Sequence, residues 1–223
     1  MRVLVLGAGG HGQVVTDILL RMHENGSPLE PVGYLDDNPT LLGRRLLNLP
    51  VLGTIADLPA IVHQGVIVAI GDNTLRRHHF EALQAQGECL VTACHPRSTI
   101  APDVHMGPGC MICAGVVVNS GSAIGANAIL NTGCTVDHHN RIGNHVHVAP
   151  GVHLGGDVTV GEGAMIGIGA TVIPQREIGA WTEVGAGSVV TKDAPPHVAV
   201  VGMPARVMRR IGTDVVKADG TQY

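Results

Sequence analysis

Aromatic residues are nearly missing from this chain: one Trp, one Phe and two Tyr among 223 residues, or 2%. A core of this size normally draws volume from aromatic rings. This one must be built from Val, Ile, Leu and Ala in a regular arrangement. Charge is also sparse, at 14%, with Lys+Arg 14 against Asp+Glu 18. That balance offers no basic face to hold nucleic acid by phosphate neutralisation. No apolar run approaches the roughly 18 residues of a membrane span. The opening MRVLVLGAGG reads as a strand and a Gly-rich turn rather than a signal peptide. The five cysteines (Cys89, Cys94, Cys110, Cys113, Cys134) are odd in number and irregularly spaced. They argue against a disulfide framework and fit a cytoplasmic protein with buried, inert thiols. Cys110-x-x-Cys113 lacks the second pair or helix that zinc or redox chemistry would need, and no metal site is expected.

What the chain has in plenty is glycine, 31 residues, and aliphatics. The aliphatics carry a period. Every sixth position from Ile100 to Val190 is aliphatic or Met, sixteen in a row without a break. With aliphatics at about a quarter of residues, chance gives such a run on the order of 10⁻¹⁰ of the time. The residue after each is Gly at eight of the sixteen, for example Gly107, Gly125 and Gly143. The residue four places on is small or β-branched at thirteen of the first fifteen, Asn140 and Arg176 being the exceptions. A period of six is neither helical nor a simple strand alternation. It suits a short strand and a tight corner, repeated, three sides closing a triangular coil of 18 residues. Glycine after the aliphatic is expected to supply unusual backbone angles at the corners. Coils stacked about 4.8 Å apart would give a prism roughly 25 Å long, too narrow inside for aromatic rings.

The N-terminal third differs. Arg2–Leu6 reads as a buried strand. Gly7-Ala8-Gly9-Gly10-His11-Gly12 follows, then a helix with Val14, Val15, Ile18 and Leu19 on one face. Strand, Gly-rich turn and helix are the context in which backbone N–H groups can meet a phosphate. A second strand, Val32–Leu35, ends in Asp36-Asp37, whose carboxylates can accept from ribose hydroxyls or a base N–H. A third, Val66–Ile70, ends in Gly71-Asp72-Asn73, ahead of a helix from about Thr74 to Ala85. About 90 residues make only one half of a dinucleotide-binding domain, so NAD is disfavoured and a nucleotide or nucleotide-linked sugar fits better.

Together these motifs resemble a known family. The repeat [LIV]-G-x-x-[STAV]-x and the ending Val201-Gly202-Met203-Pro204-Ala205-Arg206 are similar to those of hexapeptide-repeat acyltransferases, which fold as left-handed parallel β-helices. With G-A-G-G-H-G, the Asp pair and Ala69-Ile70-Gly71-Asp72-Asn73, the chain resembles the sialic acid O-acetyltransferase family. That family includes N-acetyltransferases of UDP-4-amino sugars and GDP-perosamine. The resemblance implies a half-Rossmann α/β domain (1–95) binding a nucleotide-linked amino sugar, a left-handed β-helix acetyltransferase domain (96–210) and a loose tail (211–223). It also implies acetyl-CoA as co-substrate and a homotrimer.

Asn131-Thr132-Gly133-Cys134-Thr135-Val136-Asp137-His138-His139 resembles the family's N-T-x-x-x-[VI]-[DE]-H-[DE]. On that match His138 is the base that deprotonates the sugar amine, and Asn131 lines the amino-sugar pocket. The residue after the base is usually acidic and orients the imidazole. Here it is His139, leaving Asp137 or a backbone carbonyl as other partners. Gly9, Gly10, His11, Asp36, Asp37, Gly71 and Asn73 would hold the nucleotide sugar. His147, Gly156, Ile168 and Ala186 correspond to acetyl-CoA contacts. Counting by 18 puts Ile168 under Ala186 and His138 under Gly156. His147 is half a coil from His138, on the opposite side of the prism, so the two can share a site only between neighbouring subunits. O-acetylation of a sialic-acid-like sugar is the competing activity, and a non-catalytic nucleotide-sugar-binding scaffold the competing class.

Overall fold

The computed structural model describes residues 1–212; the expected tail lies outside them from residue 213 onward. The N-terminal unit opens with β1 (Arg2–Leu6), α1 (Gly10–Glu24) and β2 (Glu30–Leu35). It continues through β3 (Arg45–Leu46), β4 (Leu49–Gly53), β5 (Gly65–Val68) and α2 (Asn73–Ala85). The sheet order is β3-β4-β2-β1-β5, parallel except for the β3–β4 hairpin. Alternation along β1 places Val3 and Val5 in the core with Val15, Ile18 and Leu19 of α1, while Leu4 and Leu6 meet Phe80 and Leu83 of α2 on the other face. The expected apolar face of α1 is correct except at Val14, which is 42% exposed. Gly12 takes the buried place beside Gly7, where any Cβ would strike the Gly7 carbonyl.

From Ala93 the chain becomes a prism of two-residue strands in three parallel sheets. The first face stacks Ala93–Cys94, Met111–Ile112, Ile129–Leu130, His147–Val148, Met165–Ile166 and Glu183–Val184. The second runs from Thr99–Ile100 to Val189–Val190, and the third from His105–Met106 to Glu177–Ile178. Neighbours in each stack pair with partners 18 residues apart, as in Val117↔Thr135↔His153. Their N–H groups bond to the next coil, Thr135 N to Val152 O at 2.8 Å and His153 N to Ala170 O at 3.0 Å. The periodic aliphatics Ile112, Leu130, Val148 and Ile166 point inward and are fully buried. Val198–Gly202 then pairs antiparallel with Ala205–Arg210, so the V-G-M-P-A-R segment closes the stack as a hairpin.

The corner glycines have a different cause from the one expected. Glycine following the periodic aliphatic does not take positive φ. A Cβ on Gly125 would lie 2.6 Å from the Asn144 backbone N of the next coil. These glycines answer to close approach between coils. The left-handed residue comes two places later, and all fourteen such positions from 109 to 187 have φ near +60 to +75°. Eight are Gly. The others are Asn127, His139, His145, Asp157, Gln175 and Trp181, in keeping with the tolerance of Asn, Asp and His for this region.

Asn140, an exception in the small-residue set, has a definite task. It is fully buried, and its side-chain amide donates to Asp137 O at 2.7 Å and Gly155 O at 2.8 Å. Its backbone N–H donates to Ser122 Oγ at 3.1 Å. The amide therefore clamps the corner that carries His138. Asn140→Val keeps the bulk but leaves Gly155 O without its donor and Asp137 O with only the Ser122 hydroxyl, a loss of about 1–3 kcal/mol. Thermal unfolding should show a melting temperature lower by several degrees; an unchanged value would remove the clamp from the account.

Candidate active site

Two features on opposite sides of the prism are the candidates for the site. The first is a pocket of about 400 Å³ at the carboxyl ends of β1, β2 and β5. It is lined by Gly7, Gly9, Gly10, His11, Asp36, Asp37 and Gly71, joined by Ile55, Leu75 and His79. The Gly-rich turn thus brings the sequence-identified residues together at the start of α1. Its first turn carries no side-chain cap, so its N–H groups face the opening. Nothing would lie within 4 Å of a Cβ on Gly9 or Gly10, so these glycines keep the pocket empty rather than relieve strain. Asp36 accepts from the Ala8 N–H at 2.7 Å and the Asn38 N–H at 2.8 Å, and Asp37 from the Ile55 N–H at 2.9 Å. Both carboxylates hold the loops that shape the pocket and retain lone pairs toward it.

Asn73 is placed differently from the expectation. Its amide donates to Gly163 O at 3.0 Å and Ala164 O at 3.2 Å on the prism, and its oxygen accepts from Arg76. It docks the two units. Leu75 and His79, four apart on α2, take the pocket face instead. Their i, i+4 spacing one turn after the Gly71 loop was the available signal.

Beside His11, which lines the pocket, lie His147 and Asn131. The His11 and His147 rings are 6.2 Å apart, and the Asn131 amide lies 3.2 Å from His147 Nε2. Asn131 therefore sits with the His147 group on the first face and not at the His138 corner. His147 is 8% exposed, and burial, then the Arg76 cation and His11, push its pKa down to about 3. His11 falls to about 4, through burial and then Arg76. Both are neutral imidazoles at physiological pH. Each keeps a buried ring nitrogen, His11 Nε2 and His147 Nδ1, with no partner among the described residues.

Arg76 sets this local field. It is fully buried and makes no direct ion pair among the described residues, Asp72 acting on it only through space. All its donors are used: Nε on Asn127 O (3.2 Å), Nη1 on Ile70 O (3.1 Å) and Gly71 O (3.2 Å), Nη2 on Asn73 Oδ1 (2.8 Å) and His145 O (2.7 Å). Burial pushes its pKa down to about 10, so it remains a cation. Oriented carbonyls hold the cation with Asp72 only nearby, and its field reaches His11, His145 and His147.

The second feature is the corner between the second and third faces, which lies opposite the first face. His138 and His139 are exposed there, their Nδ1 atoms 3.0 Å apart. Gly156 lies one coil on, flush beneath the His138 ring, where any side chain would displace it. Asp137 is tied to Asn119 Nδ2 and to the His138 backbone N–H, each at 2.8 Å, and these bonds hold its carboxyl below the usual range. Ile168, 61% exposed, and Ala186 occupy another corner, between the first and second faces. The second face between these corners carries a groove of about 440 Å³ lined by Asn119, Thr135, Asp137, His153 and Pro174. Within one chain the residues assigned to acetyl-CoA are thus spread over one face and two corners. The thiols stay out of the chemistry: Cys110, Cys113 and Cys134 are buried and Cys134 is pushed up to about 12, whereas Cys89 is exposed, contrary to expectation.

Residues 2–83 match the PglD N-terminal domain, and residues 157–192 match the bacterial transferase hexapeptide of six repeats. A structure of perosamine N-acetyltransferase from Caulobacter crescentus, in complex with CoA and GDP-perosamine, is 40% identical. It covers 93% of this chain and 96% of that one with a TM-score of 0.86. The chain belongs to the PglD-type family of hexapeptide-repeat acetyltransferases. The acetyltransferase domain of PglB from Neisseria gonorrhoeae, another member in these terms, is 35% identical over 93% of this chain and 99% of its own, also with a TM-score of 0.86. Serine acetyltransferase from Salmonella typhimurium shares 40% identity over 47 residues, 21% of this chain and 17% of that protein. The stretches matched in curated relatives span about a fifth of their length (22% in Staphylococcus aureus proteins described as acetyltransferases). The family's left-handed β-helix after an α/β domain is the architecture of this chain.

The neutral histidines give the PglD-type fold a pH signature. His11, His145 and His147 are held to about 4, 4 and 3. Below about 6.5 the unfolded chain binds protons that the folded chain refuses, so stability falls as pH drops from there toward 4. Urea unfolding from pH 7 to 4.5 should show this decline. In His147→Gln the decline should be shallower, by up to one proton's worth of slope. Parallel curves for both proteins would show that His147 titrates normally.

Proposed function

We propose that this chain is an acetyl-CoA-dependent N-acetyltransferase. Its substrate is the 4-amino group of a nucleotide-linked amino sugar, of the UDP-4-amino-sugar or GDP-perosamine type, made for bacterial surface glycans. The observation that carries the reading is the pairing of a Gly-rich phosphate-type pocket with an exposed histidine corner, in a chain 40% identical over nearly its whole length to a perosamine N-acetyltransferase.

In this reading residues 1–95 hold the nucleotide sugar. The turn N–H groups at Gly9 and Gly10 and the Arg76 field favour the diphosphate. Asp36 and Asp37 accept from the ribose or base, and His79 and Leu75 complete the wall. His11, His147 and Asn131 orient the sugar and the thioester with neutral polar atoms. On residues 96–210 His138 acts as general base. The amine nitrogen attacks the thioester carbonyl, and a backbone N–H stabilises the oxyanion. The C–S bond then breaks, and the proton taken by His138 passes to the departing sulfur. A buried thiol at Cys134 is no nucleophile, so transfer is direct.

The nucleotide pocket and His138 lie on opposite sides of one prism, so a complete site takes the pocket of one subunit and the His138 corner of its neighbour. A cyclic trimer is the simplest closed form, and packing side by side gathers His147, Gly156, Ile168 and Ala186 along one acetyl-CoA channel. No helix among the described residues is long and apolar enough to cross a membrane. We place the reaction in the cytoplasm.

Thiol release measured with UDP-, GDP- and dTDP-4-amino sugars and with free sialic acid tests the substrate class. Turnover confined to sialic acid would make the chain an O-acetyltransferase, and no turnover at all a binding scaffold. His138→Ala should lower kcat by about 10²–10⁴-fold with acetyl-CoA affinity kept. Gly9→Val should fold normally and lose nucleotide-sugar binding alone by calorimetry. Loss of acetyl-CoA binding in Gly9→Val would refute the division of labour.

A further inference from the structure

The family pattern puts an acidic residue after the catalytic base, and this chain has His139 there. The structure places a carboxylate one coil further on. His139 and Asp157 are 18 residues apart and occupy equivalent left-handed corner positions, with φ of 58° and 59°. A carboxylate oxygen of Asp157 and one ring nitrogen each of His138 and His139 all lie within 4.8 Å of one another. The His138 and His139 rings meet edge to face, centroids 5.2 Å apart, and their Nδ1 atoms are 3.0 Å apart. Both rings rest on glycine: His138 on Gly156 and His139 on Gly121. Asp137, the other nearby acid, accepts from Asn119 and the His138 backbone N–H through Oδ1 alone and also acts on the His138 charge, but it belongs to the strand end before His138 rather than to the corner position of His139.

We infer that His139 and Asp157 together replace the missing acid, as a relay in which His139 is hydrogen-bonded to His138 and Asp157 acts on the pair as a nearby charge rather than through a direct bond; this rests on the reading of His138 as the base. His138 donates its Nδ1–H to His139 Nδ1, which fixes the tautomer and leaves Nε2 bare to accept a proton. The amine nitrogen forms its bond to the thioester carbon and gives its proton to His138 Nε2. The C–S bond breaks with the electron pair on sulfur, and that proton then goes to the sulfur to release CoA as the thiol. While His138 is charged, Asp157 supplies the negative charge that an adjacent Asp or Glu supplies in relatives with the family pattern. His139 and Asp157 act through His138 and are positioning residues.

The relay predicts a pattern in kcat at saturating substrates. Asp157→Asn, isosteric and suited to a left-handed corner, should lower kcat about tenfold, the worth of roughly one pKa unit, with KM for acetyl-CoA unchanged. His139→Gly keeps the corner unstrained and should lose at least as much. His139→Asp places a carboxylate oxygen as many bonds from the backbone as Nδ1 and should rescue most of that loss. Asp157→Asn added to His139→Asp should then cost less than about twofold, a coupling read from the double-mutant cycle. Equal losses in His139→Gly and His139→Asp would overturn the relay, as would a wild-type kcat in Asp157→Asn. If His138→Ala itself kept full turnover, the assignment of the base would fail instead.

Discussion

The unbroken spacing of six from Ile100 to Val190 is the constraint on which the molecule depends. Each coil donates its backbone N–H groups to the next and receives an aliphatic layer from it, so any position around the prism is fixed by counting modulo 18. One inserted residue would turn every later aliphatic outward and break the ladder of inter-coil bonds. The same counting places Gly156 under His138, Asp157 beside His139 and Ser122 beside Asn140. The proposed catalytic corner is thus assembled from residues a full coil apart, each held by close-packed backbone rather than by a loop.

A second constraint fixes what the prism faces. Arg76 joins the α/β unit to the β-helix through five hydrogen bonds, two of them to Asn127 O and His145 O on the prism. Phe80 packs edge-on against His145, and Arg77 pairs with Glu162 at 3.6 Å and lies over Trp181 at 5.5 Å. The α/β unit consequently covers the first face. Its pocket opens beside His147, and the corner with His138 is left bare on the far side. The separation between the pocket and the His138 corner is a product of this docking. Burial of His11 and His147 beneath this docking, and then the Arg76 cation, keep both histidines neutral.

The fold was legible because its signal is periodic: aliphatics every six residues and few aromatics require a narrow repetitive interior. The Gly-rich turn and Asp36-Asp37 were legible because pockets in α/β units form at the carboxyl ends of adjacent strands. What stayed hidden depended on three-dimensional neighbours. The glycine after each aliphatic looks like a turn residue in sequence, and only the stacked coil shows that it answers to contact. Asn73 looks like a pocket residue because it follows Gly71, yet its amide is taken by Gly163 and Ala164, some ninety residues away. Nothing in the sequence separates Arg76 from its neighbour Arg77, and only the fold shows that its side chain is fully buried. Asp157 carries no motif at all, and only the coil period links it to His139.

The central claim is that one active site takes its nucleotide pocket from one subunit and its base from the next. It is tested most directly by mixing two inactive variants, His138→Ala, which keeps the pocket, and Gly9→Val, which keeps the base. After dissociation and reassembly at 1:1, with mixed oligomers verified by native mass spectrometry, about a quarter of the interfaces should carry both intact halves. Acetyl transfer should return to about that fraction of the wild-type rate. Mixed oligomers as inactive as their parents would mean that each site is built within a single chain, and the account would be contradicted.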